Sequence, residues 1–343
     1  MNPADLHIDP EAIAERIAGT LRKQILITLR HKGVVIPVSG GIDSSVCAAL
    51  CVHALGKEHV LAVSMPDRDS SAASRELAQL LAVGLGIEFV VEDITPILEA
   101  AGCYRRQEEA IRTVFPDYGS GWKSKIVMPS ILERDRLNIS RLVVEDPGGR
   151  DLAARLPLPA YLKLVAATNF KQRMRTMLAY YYADKMNYAV CGTPNRLEYD
   201  QGFFVKGGDG HADVKPIAHL YKTQVYMLGR YLGVPDEILS RLPTTDTFSL
   251  AQSQEEFYFS LPYEKMDLCL YASNHNVPAA EAAEVTGLTA EQIDRVYEDI
   301  KAKRRHAVPL HLEPLLCEPV SEVEEMVSKA VTAKDSSGKD EKK

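Results

Sequence analysis

The stretch VVIPVSGGIDSSVCAALC, residues 34–51, decides the fold. It opens with an apolar run of strand length and closes with the small and apolar pattern of a buried helix. Between them lies a turn holding Ser39, Gly40, Gly41, Asp43, Ser44 and Ser45. A loop that leaves the carboxyl end of a strand and opens a helix points free backbone N–H groups outward, and these attract an anion. Gly40 and Gly41 lack the side chains that would hold a phosphate at a distance. Ser39, Ser44 and Ser45 add hydroxyl donors. Asp43 repels phosphate, so its presence points to a bridging Mg²⁺, a hard cation that takes carboxylate and phosphate oxygens together. The lysine of a GxxxxGKS loop is missing, which excludes a Walker site.

Outward from this loop the chain alternates. Ile13, Ile17, Leu21 and Ile25 predict an amphipathic helix from Pro10 to about Arg30, stopped by Gly33. Further helices are expected over 43–55, 71–85 and 94–111, with strands at HVLAVSMP (59–66), IEFVVED (87–93) and YAVCGTP (188–194). Repeated βα units imply an α/β fold, a doubly wound parallel sheet with helices on both faces. Pro37 is a local objection, since proline donates nothing to a ladder. Residues 112–160 break the rhythm with turn signals at Pro116-Asp117, 119–121 and 147–149, and read as an insertion or lid. A long helix over 161–186 follows, then helices at 221–233, 262–274, 278–286 and 290–305, a helical C-terminal region. One domain over residues 1–310 is expected, with 311–343 as a C-terminal segment whose polar end, AKDSSGKDEKK, reads as disordered. The aromatic string EEFYFSLPYEKMD (255–267) reads as packing between helices rather than a stacking platform for bases.

The net charge of -7 and pI near 5.8 supply no basic stripe, which argues against nucleic acid as a partner. The six cysteines lack CxxC spacing and read as reduced, mostly buried thiols. The N-terminus has no export pattern and no apolar run reaches the ~18 residues of a membrane span, so a cytoplasmic protein without membrane contact is expected.

The string SGGxDS resembles the pyrophosphate loop of the ATP pyrophosphatase superfamily, with its adenine nucleotide alpha hydrolase-like fold. Later strings narrow the resemblance to NAD synthetase of the ammonia-dependent type: NFKQRMRTM (169–177), GTPNRLE (192–198), GFFVKGGDGHADVKP (202–216), LYKTQ (220–224) and PTTD (243–246). Their order and spacing agree with that family from about Glu11 to Pro309, outside the insertion and the tail. Val205 and Thr176 depart from the family's residues.

The resemblance implies ATP-dependent amidation of deamido-NAD through an acyl-adenylate, with ammonia as nitrogen donor and AMP and pyrophosphate as products. It also implies roles. Ser39, Gly40, Gly41, Asp43 and Ser44 hold the ATP phosphates, Asp43 and Glu198 bind Mg²⁺, and Lys222 neutralises departing pyrophosphate. Met65, Arg68, Thr193 and Thr244 match further ATP-contacting positions; Arg173, Lys206, Asp213 and Lys303 match deamido-NAD positions. Ala302 stands where the family has histidine, with His306 the nearest imidazole. A homodimer with the deamido-NAD site at or near its interface is also implied. With no nitrilase-type segment before the first strand, direct use of ammonia is expected, a separate glutaminase partner staying open. Two rivals stand beside this reading: an amide ligase of the same superfamily acting on another carboxylate, and a nucleotide sensor that has lost catalysis.

Overall fold

Four short parallel strands in the order β3-β2-β1-β7 run through the middle of the computed structural model, which describes residues 1–128, 140–244 and 247–332. In chain order the elements begin with α1 (Pro10–Arg22), β1 (Val34–Pro37), α2 (Ile42–Leu55), β2 (Val60–Ser64), α3 (Ala72–Leu85) and β3 (Glu88–Val91). Next come α4 (Thr95–Ala100), α5 (Cys103–Arg112), β4 (Lys123–Val127), β5 (Arg141–Glu145), β6 (Asp151–Arg155), α6 (Leu158–Met186) and β7 (Ala189–Val190). The remainder is helical: α7 (Arg196–Gln201), α8 (Lys222–Tyr231), α9 (Asp236–Leu239), α10 (Tyr263–Asn274), α11 (Ala279–Thr286), α12 (Ala290–His311) and α13 (Ser321–Thr332).

The period-2 alternation of the strands sorts the core onto two faces. Val34, Ile36, Val60, Ala62 and Ala189 face α1, α2, α3 and α8. Val35, Leu61, Val63 and Val190 face α4, α5 and α6. A third cluster, built around Met266, Leu270, Ile293, Val296 and Ile300, holds α10, α11 and α12 together. The doubly wound arrangement is therefore the observed one, with the helical C-terminal region beside it.

Pro37 resolves without strain on the ladder. Cys191 donates to the Val35 carbonyl at 2.9 Å and Val38 to the Val63 carbonyl at 2.9 Å, so odd-numbered residues of β1 face β7 and even-numbered ones face β2. The pairing with β7 ends at Val35↔Val190, and the proline nitrogen lies beyond it.

Three expectations are revised. The first helix ends as the π-helical turn Lys23–Thr28, and Arg30 takes the left-handed backbone, φ 58°. Gly33 serves close approach instead: a Cβ there would stand 2.4 Å from the His59 carbonyl and 2.6 Å from the Tyr188 ring. The helix expected over 94–111 is two helices, broken where Gly102 sits at φ 70°. The insertion is an antiparallel sheet β4-β5-β6, closed over Ile126, Leu142, Val144 and Leu156.

The tail 333–343 lies outside the described residues. Before it, α13 buries nothing. Cys47, Cys51, Cys103, Cys191 and Cys269 are buried free thiols and Cys317 is exposed. No helix among the described residues is long and apolar enough to cross a membrane.

Candidate active site

The strand order reverses between β1 and β7, and the loop 39–45 leaves β1 at that point, where open α/β sheets leave a crevice for ligands. A cavity of about 540 Å³ opens there. The loop is internally tied: Ser44 and Ser45 hydroxyls both donate to the Gly41 carbonyl, at 3.1 and 2.8 Å, and the Gly41 N–H donates to Ser39 Oγ at 3.3 Å. Gly40, at φ 73°, packs so closely on α3 that a Cβ would stand 2.4 Å from the Ser74 carbonyl. This glycine lets the loop lie flat on a neighbour; Gly41 is the one that faces the cavity.

Asp43, in the first turn of α2, meets two partners from β7 and beyond. Lys222 Nζ pairs with its Oδ2, and Asn195 Nδ2 donates to its Oδ1 at 3.1 Å. Asn195 and Glu198 form the capping box of α7: Asn195 N–H donates to Glu198 Oε2 at 3.0 Å, and Glu198 N–H to Asn195 Oδ1 at 3.2 Å. The cap fixes the Glu198 carboxylate toward Asp43, and Gln254 Nε2 donates to its other oxygen at 3.0 Å. Burial, then the Asp43 charge, push the Glu198 carboxyl well above the usual carboxylate range, against the pull of Lys222. Lys222 is 2 % exposed; burial works against its ammonium, but Asp43 and Glu198 outweigh that and raise its pKa.

Lys222 opens α8, and its position is set from a distance. Asp267, on α10 and fully buried, accepts the N–H groups of Lys222 and Thr223 at 3.2 and 2.7 Å, an N-terminal cap supplied by another helix. Burial holds the Asp267 carboxyl up at about 7 despite those two bonds.

Ser39, Gly41, Asp43, Ser44, Thr193, Glu198, Lys222 and Thr244 all line this one cavity, with Arg175, Asp209, Phe257 and Tyr258 on its other walls. Of the aromatic string, Phe259 packs in the helical core as expected, whereas Phe257 and Tyr258 also face the cavity. The remaining predicted positions lie outside its lining. Met65 is buried under the sheet and its carbonyl accepts from Arg175 Nε at 2.9 Å. Arg68 stacks on Tyr104, 3.7 Å from the ring centre, and reaches Glu108 at 3.3 Å. Arg173 donates to the Lys206 carbonyl at 3.2 Å, and Lys206 Nζ to the carbonyls of Pro309 and Leu312 at 2.7 and 2.8 Å. Asp213 accepts from Val190 N–H at 2.7 Å and from the Tyr180 hydroxyl at 3.1 Å. Lys303 Nζ pairs with Asp299 at 2.7 Å and donates to the Tyr258 carbonyl at 2.8 Å. The His306 ring is held by the Ala302 carbonyl at 2.8 Å. Thr245 and Asp246 of PTTD lie outside the described residues.

Sequence reading missed four contributors: Asn195, Gln254, Asp267 and a charged cluster beside the cavity. In that cluster Lys171, fully buried on α6, reaches Asp69 at 2.6 Å and Asp67 at 3.4 Å, and Arg175 reaches Asp67 at 3.0 Å. The N-x-x-E spacing of Asn195 and Glu198 is a capping-box signal that was there to find; the other three depend on tertiary contacts.

Among the described residues no group of three or more His, Cys, Asp or Glu side chains forms a metal cage. The donor set is the pair Asp43 and Glu198, joined through Asn195. Two carboxylates held beside a phosphate-type loop fit Mg²⁺, which keeps few protein ligands and takes its others from phosphate and water.

Comparison with known proteins gives the family. The family model of NAD synthase matches residues 13–115 and 154–307. An NH(3)-dependent NAD(+) synthetase from Mesorhizobium japonicum is 61% identical over 317 residues, 92% of this chain and 99% of that protein. Its counterpart from Rhizobium meliloti is 56% identical over 93% of this chain and 95% of its own length. The solved NH3-dependent NAD synthetase of Campylobacter jejuni shares the fold at a TM-score of 0.60 with 23% identity, covering 91% of this chain and 100% of that one. An NMN synthetase from Francisella tularensis also shares it, at 0.58 and 23%, covering 90% of this chain and 99% of that one. The fold alone therefore does not select a substrate.

Proposed function

The chain belongs to the NAD synthase family, and from that premise we propose that it converts deamido-NAD to NAD, using ATP to activate the carboxylate and ammonia to amidate it. A carboxylate resists ammonia because its charge repels nucleophiles and its oxygen leaves poorly. Attack of that carboxylate on the α-phosphorus breaks the bond to the bridging oxygen and expels pyrophosphate. Ammonia then adds to the acyl carbon of the adenylate, loses a proton, and AMP departs.

The observation that carries this reading is the convergence of the 39–44 loop, Thr193, Glu198, Lys222 and Thr244 on one cavity. The loop's N–H groups and hydroxyls, with Gly40 shaping its turn, receive the phosphates, and Lys222 faces the charge that develops on the leaving pyrophosphate. A fixed cation aimed at developing charge is the strongest kind of help such a site gives. Asp43 and Glu198 would hold Mg²⁺, which when bound supplies charge neutralisation between the phosphates. Met65 and Arg68 are assigned to the nucleotide side of ATP; Arg173, Lys206, Asp213 and Lys303 are assigned to deamido-NAD. We further infer one domain over residues 1–310, a cytoplasmic homodimer, and a deamido-NAD site at or near the dimer interface.

The test is pyrophosphate release and NAD formation by the purified protein with Mg²⁺-ATP, ammonium and deamido-NAD, then with glutamine replacing ammonium. NAD with ammonium is expected. Turnover of another carboxylate with none of deamido-NAD overturns the reading. Asp43→Asn is expected to abolish pyrophosphate release with the far-UV spectrum unchanged, and sedimentation tests the dimer.

A further inference from the structure

Residues 116–153 fall outside both stretches matched by the family model; β4, β5 and the first three residues of β6 lie in that range, and the sheet they form is fastened to a wall of the active-site cavity. The wall comprises Arg241, Leu242, Pro243 and Thr244 on one side and Thr247 and Gln254 on the other, all facing the cavity. Residues 247–253 belong to no helix or strand; the bridge Thr244↔Ser253 and the Gln254 N–H bond to the Pro243 carbonyl at 3.2 Å tie this side of the wall to the other, and Lys171 Nζ donates to the Thr247 carbonyl at 3.2 Å. Between these two ends, β4 holds the stretch. Ser124 of β4 donates its N–H to Ser249 Oγ at 2.9 Å, and its carbonyl accepts from Leu250 N–H at 3.1 Å. Lys125 Nζ donates to the Ala251 carbonyl at 3.3 Å, and the Gln252 amide donates to the Ile126 carbonyl. Phe248, 4 % exposed, enters the apolar core of the inserted sheet beside Ile126 and Leu142.

The side chains divide in use. Residues 248, 249 and 252 are spent on the sheet, while Thr247 faces the cavity and Gln254 reaches Glu198 at 3.0 Å. We propose that the inserted sheet is a brace that orders the 247–254 wall before ATP binds, with Ser249 and Gln252 as positioning residues. A wall already ordered costs ATP less on binding than one ordered at that moment. The inference rests on the proposed ATP site, and extends it to a segment outside the family model's match.

The test uses the full chain. Ser249→Ala combined with Gln252→Met removes one acceptor and one donor at nearly constant volume. Expected are a KM for ATP raised about fivefold to tenfold, the size of one or two lost hydrogen bonds, and a kcat within about twofold of the parent. Hydrogen exchange should quicken over residues 247–254 and stay unchanged in the parallel sheet. Ser249→Thr, which keeps the hydroxyl, should restore the parent KM in the Gln252 parent background. Should the double variant not fold, the unmodified protein still decides: the Leu250 amide must be protected without ATP. An unprotected Leu250 amide overturns the brace, as does an unchanged KM alongside faster exchange, or quickened exchange throughout the molecule. These exchange outcomes do not depend on which carboxylate is amidated, so failure of the proposed reaction is seen separately, as absence of NAD from the unmodified enzyme.

Discussion

Lys222 is the residue on which the two carboxylates of the cavity depend. With 2 % of it exposed, its ammonium lies between Asp43, which it contacts, and Glu198, whose charge it also feels. Lys222→Met leaves the partly buried Asp43 charge and the buried Glu198 carboxyl without their cation, and breaking a buried pair from one side costs about 3–5 kcal/mol. The loss has a sign in pH. Glu198 already binds its proton more tightly in the folded chain than in the unfolded one, so its contribution is present at low pH and is lost as pH rises through the folded value. Without Lys222 that value rises further, and the variant should lose more stability between about pH 8 and about pH 9 than the parent, whose Glu198 contribution levels off there. Urea midpoints at the two ends of that range check it, and equal losses at both would show that Glu198 is not the titrating partner. Turnover should fall about 10²–10³-fold, the range for removing one group aimed at developing charge. At this scale Asp43, Glu198 and Lys222 were legible because each sits in a motif. Asp267 was not, because a carboxylate forty-five positions away in sequence caps the helix of Lys222 only once α10 has packed on α8.

That cap ties the stability of α8 to pH. The folded Asp267 carboxyl sits at about 7 against an ordinary 3.8, so between those values the folded chain holds more protons than the unfolded one and stability falls as pH rises. Asp267→Asn keeps one acceptor and removes the titration. Its melting temperature should therefore change less between about pH 5 and about pH 8 than the parent's; parallel curves would clear Asp267 of the effect. The loop between β1 and α2 gives the companion case. Gly40→Ala demands a left-handed backbone from an L residue and drives a methyl against the Ser74 carbonyl, a strain on the order of 1–3 kcal/mol, with a raised KM for ATP as the loop leaves α3. Denaturant melts and ATP titration measure both parts. Elements whose partners are near in the pattern, β1, α2, β2 and α3, could be read from periodicity. The strands of the insertion could not: KSKIV and RLVVE bury only two residues each, DLAAR buries none fully, and all three carry charges, so turn signals were visible and the ladder was not.

Across the whole molecule, the C-terminal region divides sharply by burial, and the division locates where the chain stops contributing to the site. Every residue of α13 is exposed, with Val323, Met326, Val327 and Val331 each about half exposed or more (49%, 62%, 52% and 60%). The residues just before it are engaged. Ala307, 2 % exposed, fills the space that a side chain at Gly202 would take, and His311 packs edge-on against Tyr199 and Phe204, 4.7 and 5.2 Å between ring centres. The carbonyls of Pro309 and Leu312 hold Lys206, which in turn offers its own carbonyl to Arg173. The family match ends at residue 307, so the sequence comparison marks only the start of this engaged stretch. Ending the chain after Glu313 removes α13 and keeps all of these contacts; its melting temperature and its KM for deamido-NAD should match the parent's. Ending it after Arg305 removes them together. The melting temperature should then drop by about 4–10 °C, as expected for two or three kcal/mol lost from a domain of this size. KM for deamido-NAD should rise about tenfold or more, because Lys206 loses both acceptors and Arg173 loses a fixed neighbour. A drop in stability with an unchanged KM would remove Lys206 and Arg173 from the deamido-NAD site and leave this stretch a purely structural clasp.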